Sequence, residues 1–281
     1  MEIIRVPRMM REITKNLKIK SKKIGFVPTM GALHEGHLSL IKRAKDENDI
    51  TVVSIFVNPT QFAPGEDYEK YPRDIDGDCE KLRNIEIDYL FLPDVNSLYP
   101  EGYSTYVNVE NLSEKLCGKF RPGHFRGVAT IVCKLFNIVN PNRAYFGQKD
   151  YQQTLIIKKM VEDLNIDVEI IVCPTIREQD GLAMSSRNRY LNEIERKSAT
   201  VIYRCLKEGE SLLKAKINPK EVSEKIKNIL KKEALIKEIQ YAGVFDPVTL
   251  DELKELKDVC LIAIAVKIGD TRLIDNLLVN L

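Results

Sequence analysis

Two kinds of apolar pattern alternate along the first two thirds of the chain. Short, nearly unbroken runs rich in β-branched residues occur at Ile24-Gly25-Phe26-Val27, Ile50 to Val57, Tyr89 to Leu92 and Val168 to Cys173. Such runs predict strands buried on both faces. Arg143 to Phe146 reads as a further strand, and Tyr106 to Val109 as a short one. Between them the apolar positions recur at helical spacing. The clearest helix is predicted from about Phe125 to Val139, with Val128, Ile131, Val132, Leu135, Ile138 and Val139 on one face and Asn140-Pro141 as its stop. A polar helix is predicted over Asp74 to Asn84. A later helix should bury Ile157, Met160, Val161 and Leu164. Alternating strands and helices imply an α/β fold with a parallel sheet covered on both faces.

From about Gln179 the pattern changes. Asn192 with Glu195 forms a capping-box signature, and Asn218-Pro219 reads as a cap and first helical residue. Gly243 to Phe245 leads into a turn at Asp246-Pro247. Two apolar runs, Val259 to Val266 and Arg272 to Asn276, flank Gly269-Asp270, a good hairpin turn. These features predict a main domain over 1–178 and a smaller α+β domain over 179–281.

Composition narrows the function classes. The chain has 281 residues, 44% hydrophobic and 30% charged, with a net charge of +2. That balance gives no general attraction to nucleic acid or membrane, and the basic stretch Lys15 to Lys23 reads as a solvated face. No apolar stretch reaches the roughly 18 residues of a membrane span. The N-terminus lacks the apolar core of a signal peptide. The six cysteines are scattered without a Cys-x-x-Cys pair, which argues against a zinc cluster or disulfide framework and suits a reducing cytoplasm.

The candidate chemistry centres on Pro28-Thr29-Met30-Gly31-Ala32-Leu33-His34-Glu35-Gly36-His37, between a strand and an amphipathic helix. Gly31 and Gly36 would let the backbone approach a ligand, and unpaired amides at the helix start would form an anion site. His34 and His37, three apart, would share a face. The spacing is wrong for the His-Glu-x-x-His zinc motif, and no Gly-Lys-Ser/Thr follows to make a P-loop. Other polar groups lie near predicted strand ends. Gln61 and Gln153 suit a small substrate with hydroxyls and a carboxylate. Gly147-Gln148-Lys149-Asp150 could meet phosphate and ribose, and Met184-Ser185-Ser186-Arg187 could clamp a pyrophosphate. Singly, each has a plainer reading as a solvated glutamine, a helix start or a polar linker. For His124 a structural role is the better expectation. Asp74 reads as a helix-dipole partner, whereas Asp78 could serve that role or help hold Mg²⁺.

These motifs together resemble the pantoate–β-alanine ligase family. The resemblance rests on residues 28–37, Ser54 to Pro59 with Gln61-Phe62, Tyr71-Pro72-Arg73, Phe146 to Gln153, and Arg177-Glu178 with Gly181 to Leu191. It runs the length of the chain and is densest from residue 24 to 191. It implies a Rossmann-like nucleotidyltransferase fold whose C-terminal domain acts as a lid. The implied reaction has the carboxylate of (R)-pantoate attack the α-phosphate of ATP, which Mg²⁺ accompanies. β-Alanine then takes the pantoyl group from the adenylate, giving pantothenate and AMP. By this resemblance His34, His37 and Lys149 are catalytic, with His37 the family's proton donor. ATP is bound by Met30, Gly31, Ala32, Leu33, His34, Glu35, Gly36, His37, Gly147, Gln148, Lys149, Asp150, Ile176, Met184, Ser185, Ser186 and Arg187. Gln61 and Gln153 hold pantoate, and Gln61 also meets β-alanine. The family's acidic run after Tyr-Pro-Arg is broken here by Gly77, which leaves the protein ligand for Mg²⁺ unknown. A cytoplasmic homodimer is implied, with no nucleic-acid or membrane partner. The rival readings are another His-x-Gly-His nucleotidyltransferase and an RNA-binding module with a synthetase-like core. The two glutamines disfavour the first and the near-neutral charge disfavours the second.

Overall fold

The computed structural model describes residues 1–281. In chain order the elements are β1 (Glu2–Ile4), α1 (Pro7–Ile19), β2 (Ile24–Thr29), α2 (Glu35–Glu47), β3 (Ile50–Ile55), α3 (Ile75–Ile85), β4 (Tyr89–Phe91), α4 (Val95–Leu98), α5 (Leu116–Phe120), α6 (His124–Val139), β5 (Arg143–Gly147), α7 (Tyr151–Asp163) and β6 (Glu169–Cys173). There follow α8 (Glu193–Ser198), α9 (Val201–Lys214), α10 (Pro219–Lys231), β7 (Ile236–Phe245), β8 (Val259–Ile268) and β9 (Thr271–Asn280). The chain separates into two compact units. The first comprises Met1–Ser113, Arg121–Gly147 and Gln153–Pro174; the second comprises Glu114–Phe120, Gln148–Gln152 and Thr175–Leu281.

The first unit is built on a six-stranded parallel sheet of order β1-β4-β3-β2-β5-β6. Its inner strands explain the unbroken apolar runs, since Ile24, Phe26, Val27, Val52 and Val53 are fully buried. The strand order reverses between β2 and β5, and ligands in open α/β sheets bind at such a switch point. Here β2 pairs with β5 only through Gly25 and Phe26. Beyond Phe26 the two strands part, so Pro28 can sit in a central strand although it has no N–H for a ladder. The loop after β2 leaves from this opening.

Two details differ from the sequence pattern. Tyr106 to Val109 is not a strand. Of these residues only Val109 is buried, and the Val107 amide donates to Thr130 Oγ1 at 2.9 Å rather than to a strand. Leu164 lies past the end of α7 and is 51% exposed. There the chain turns back, with Asn165 at φ 50° and the Ile166 amide donating to the Val161 carbonyl.

The second unit packs α9 and α10 on an antiparallel sheet, β7-β8-β9. Central β8 is almost wholly buried from Cys260 to Val266. β8 and β9 are joined at Ile268 and Thr271 around Gly269-Asp270, the turn expected. The expected caps also form. Asn192 and Glu195 make a reciprocal capping box, and the Asn218 side chain accepts from the Lys220 amide above Pro219.

Candidate active site

In the first unit the site begins where β2 ends. Thr29 Oγ1 donates to the Ser54 carbonyl and accepts from the Gly31 amide. After Met30 the chain turns left-handed at Gly31 (φ 81°) and Ala32 (φ 51°). For alanine this conformation is uncommon and needs support. Asp78, fully buried on α3, gives it: its two oxygens accept from the Ala32 and Leu33 amides at 2.7 Å each. Lys81 adds a second tie, donating to the Leu33 carbonyl at 3.0 Å while lying 3.7 Å from Asp78 Oδ1.

His34 and His37 then close the loop. His34 is the N-cap of α2, and its Nδ1 accepts from the Gly36 amide at 3.2 Å. The His34 amide donates to His37 Nδ1 at 3.4 Å, and the rings lie 4.1 Å apart. The three-residue spacing therefore does bring the imidazoles together. Because both Nδ1 atoms accept from backbone, a neutral ring at either position carries its proton on Nε2. Most backbone amides of the turn are bonded within the chain. The amides of Gly31, Ala32, Leu33, His34 and Gly36 already have acceptors within the chain.

Gln61 is buried in the same unit. Its Oε1 accepts from Asn58 and its Nε2 contacts Met30 Sδ at 2.9 Å, which ties it to the loop after β2. Gly127 on α6 lets the backbones meet closely, since a Cβ there would sit 2.3 Å from the Thr60 carbonyl oxygen. His124 has the structural role expected of it: Nδ1 lies 2.7 Å from the Gln61 carbonyl and Nε2 3.0 Å from Arg121 Nη1. Arg121 in turn pairs with Glu66. Gln153, half-buried on α7, makes no hydrogen bond to these groups. Asp74 caps α3 by accepting from the Gly77 amide.

In the second unit the turn at 148–150 carries Lys149. Burial lowers the Lys149 pKa, opposed by the charges of Asp150 and Asp275 and aided by those of Arg187 and Arg272. The turn is fastened to β9. Asn276 Nδ2 donates to the carbonyls of Gln148 and Lys149 at 3.0 and 2.8 Å. Its neighbour Asp275 is buried and takes a two-pronged bond from Arg177 at 2.5 and 3.0 Å. Burial raises the Asp275 pKa against the pull of Arg177. Gln152 fastens the other side, accepting from the Cys117 amide and donating to the Lys115 carbonyl.

Ile176 and Met184 are paired across a short hairpin, the Met184 amide donating to the Ile176 carbonyl at 3.0 Å. Ser185 caps the 3-10 turn Ser186–Tyr190 and accepts from the Arg187 amide. Ser186 is buried; Ser185 and Arg187 are half-buried. Sequence reasoning missed the anchors Asn276 and Gln152, and left Asp78 between two roles. A buried acid, amide or glutamine has no periodic signature. The one cue was a polar Asp-Asn pair inside the apolar run of β9.

An open parallel sheet with polar loops at its carboxyl edge is the architecture of ligand-binding α/β enzymes. Comparison with known proteins narrows that class. The family model for pantoate-beta-alanine ligase matches residues 2–278. The chain is 75% identical over 280 residues, all of both proteins, to the pantothenate synthetase of Thermodesulfovibrio yellowstonii. The crystal structure of pantothenate synthetase from Thermus thermophilus superposes with a TM-score of 0.93 at 42% identity, covering 99% of each chain. The pantoate-beta-alanine ligase of Francisella tularensis, solved with beta-gamma ATP and beta-alanine, superposes at 0.82 and 41% identity, covering 99% of this chain and 97% of its own. The chain belongs to the pantoate-beta-alanine ligase family.

Proposed function

We propose that this chain condenses (R)-pantoate with β-alanine at the expense of ATP. The pantoate carboxylate attacks the α-phosphate, pyrophosphate leaves, and the β-alanine amine displaces AMP from the pantoyl adenylate. The observation that carries this reading is family membership along the whole chain with the polar motifs intact. Geometry adds that no side-chain nucleophile is needed, since the reaction asks for placement and charge stabilisation.

In this reading the Nε2–H groups of His34 and His37 donate to phosphate oxygens as negative charge grows. Lys149 supplies a partly desolvated cation, and a charge in such surroundings acts more strongly than in water. Met30 through Glu35 with Gly36 shape the wall along the nucleotide. Gly147, Gln148 and Asp150 meet ribose and phosphate, and Ile176, Met184, Ser185, Ser186 and Arg187 hold the nucleotide. Gln61 and Gln153 hold pantoate, with Gln61 also near β-alanine, and residues 179–281 serve as the lid.

The residues offer no all-protein cage for Mg²⁺. No group of three or more His, Cys, Asp and Glu could hold a metal ion. Asp78 already spends both oxygens on backbone amides. The ion belongs with the ATP phosphates. Working as a homodimer in the cytoplasm fits the family reading; no helix is long and apolar enough to cross a membrane.

The test is a coupled assay for AMP with D-pantoate and β-alanine, omitting each in turn. AMP release that needs all three substrates supports the reading. Stable nucleotide transfer to an acceptor without AMP would replace it with that of another nucleotidyltransferase. A rate that stays flat from about pH 5.5 to 8.5 would make the imidazoles hydrogen-bond donors rather than acids.

A further inference from the structure

We propose that Asn276 is the positioning residue for Lys149. The inference rests on the catalytic reading of Lys149 given above. Lys149 has a peptide plane on either side of its Cα. The carbonyl of Gln148 belongs to one plane and its own carbonyl to the other. Asn276 Nδ2 donates to both, at 3.0 and 2.8 Å. A peptide unit is planar, so fixing its carbonyl fixes its orientation. With both planes held, φ and ψ of Lys149 are set, and so is the direction in which its side chain leaves the backbone. The third polar group of the clamp agrees, because Gln148 Nε2 reaches back to Asn276 Oδ1 at 3.5 Å.

The clamp itself is rigid. Asn276 is 3% exposed and pairs with Ala263 of central β8. Its amide donates to Asp275 Oδ1, the oxygen that also accepts from Arg177. Donor chemistry is essential at this position, since an acceptor would face two carbonyl oxygens. Aspartate has nearly the same shape as asparagine but presents only acceptors when ionised.

Asn276→Asp is therefore the informative variant, made in the full chain and measured at pH 8. The expected result is a kcat reduced about tenfold to a hundredfold, with KM for pantoate and β-alanine within about twofold. In a Lys149→Ala background the same change should cost less than about threefold, because the group it orients is gone. If Asn276→Asp does not fold by circular dichroism, Asn276→Ala takes its place, with a smaller loss but the same dependence on Lys149. A loss of equal size in both backgrounds, a shared shift of every KM, or an unchanged kcat overturns the proposal. Wild-type turnover in Lys149→Ala alone would instead remove the catalytic reading of Lys149.

Discussion

The two units hold their candidate segments in opposite ways. In the first unit an anionic side chain, Asp78, holds a loop by accepting from the amides of Ala32 and Leu33. In the second a neutral side chain, Asn276, holds a turn by donating to the carbonyls of Gln148 and Lys149. The difference follows from what each segment must leave available. The loop's amides at Ala32 and Leu33 are taken up by Asp78, which fixes the approach to the two imidazoles. A turn with two of its carbonyls consumed turns fewer acceptors toward an anion near the lysine.

Ranked by their effect on turnover, four changes test how far this contrast reaches. Removing a donor itself should cost most: His37→Ala is expected to lower kcat at least about a hundredfold, read by the AMP assay. Near-wild-type turnover there would reduce the first half to scaffold. Asp78→Asn is the counterpart of Asn276→Asp, keeping shape while turning one acceptor into a donor facing an amide. It should cost about 1–3 kcal/mol in urea unfolding and lower kcat about tenfold. An unchanged unfolding midpoint would show that the loop needs no anchor.

Gly127→Ala should act more weakly and on one substrate. A methyl group 2.3 Å from the Thr60 carbonyl oxygen must push the Gln61 segment aside. A severalfold rise in KM for pantoate with kcat nearly kept is expected from initial rates, at about 1–3 kcal/mol of stability. Asp246→Asn should leave turnover at neutral pH unchanged and alter only the acid response. Bonds from Lys257 and from the Thr249 and Val248 amides depress the Asp246 pKa to about 2. A carboxylate lowered in the folded state adds stability above its unfolded pKa, and that stability is lost as pH falls through the folded value. Unfolding curves of the two proteins should differ at pH 6 and converge between about pH 4 and pH 2. A constant gap across that range would sink the assignment.

The sequence pattern revealed what is local. The His-x-x-His spacing, the Asn192–Glu195 capping box, the cap at Asn218 and the hairpin around Gly269 each involve neighbours within a few residues. The buried runs of β2 and β3 were plain for a similar reason, since burial on both faces leaves no polar interruption. Family resemblance then supplied site residues that periodicity could not. What stayed hidden was long-range. Asp78 meets its partners across 45 and 46 positions, and Asn276 across 127 and 128. The Glu2–Ile4 strand was hidden differently, being three residues with a single buried side chain. Tyr106 to Val109 misled because alternation suggests a strand but cannot supply a neighbour to pair with.

The second unit draws on three stretches of chain, and this bears on the order in which the enzyme comes into being. Residues 148–152 leave the ribosome more than a hundred positions before β9, the strand that will hold them. During synthesis the segment that presents Lys149 must wait, its carbonyls bound to water, until β9 emerges. A nascent chain that has emerged only as far as β8 would thus have its parallel sheet complete and its lysine still unplaced.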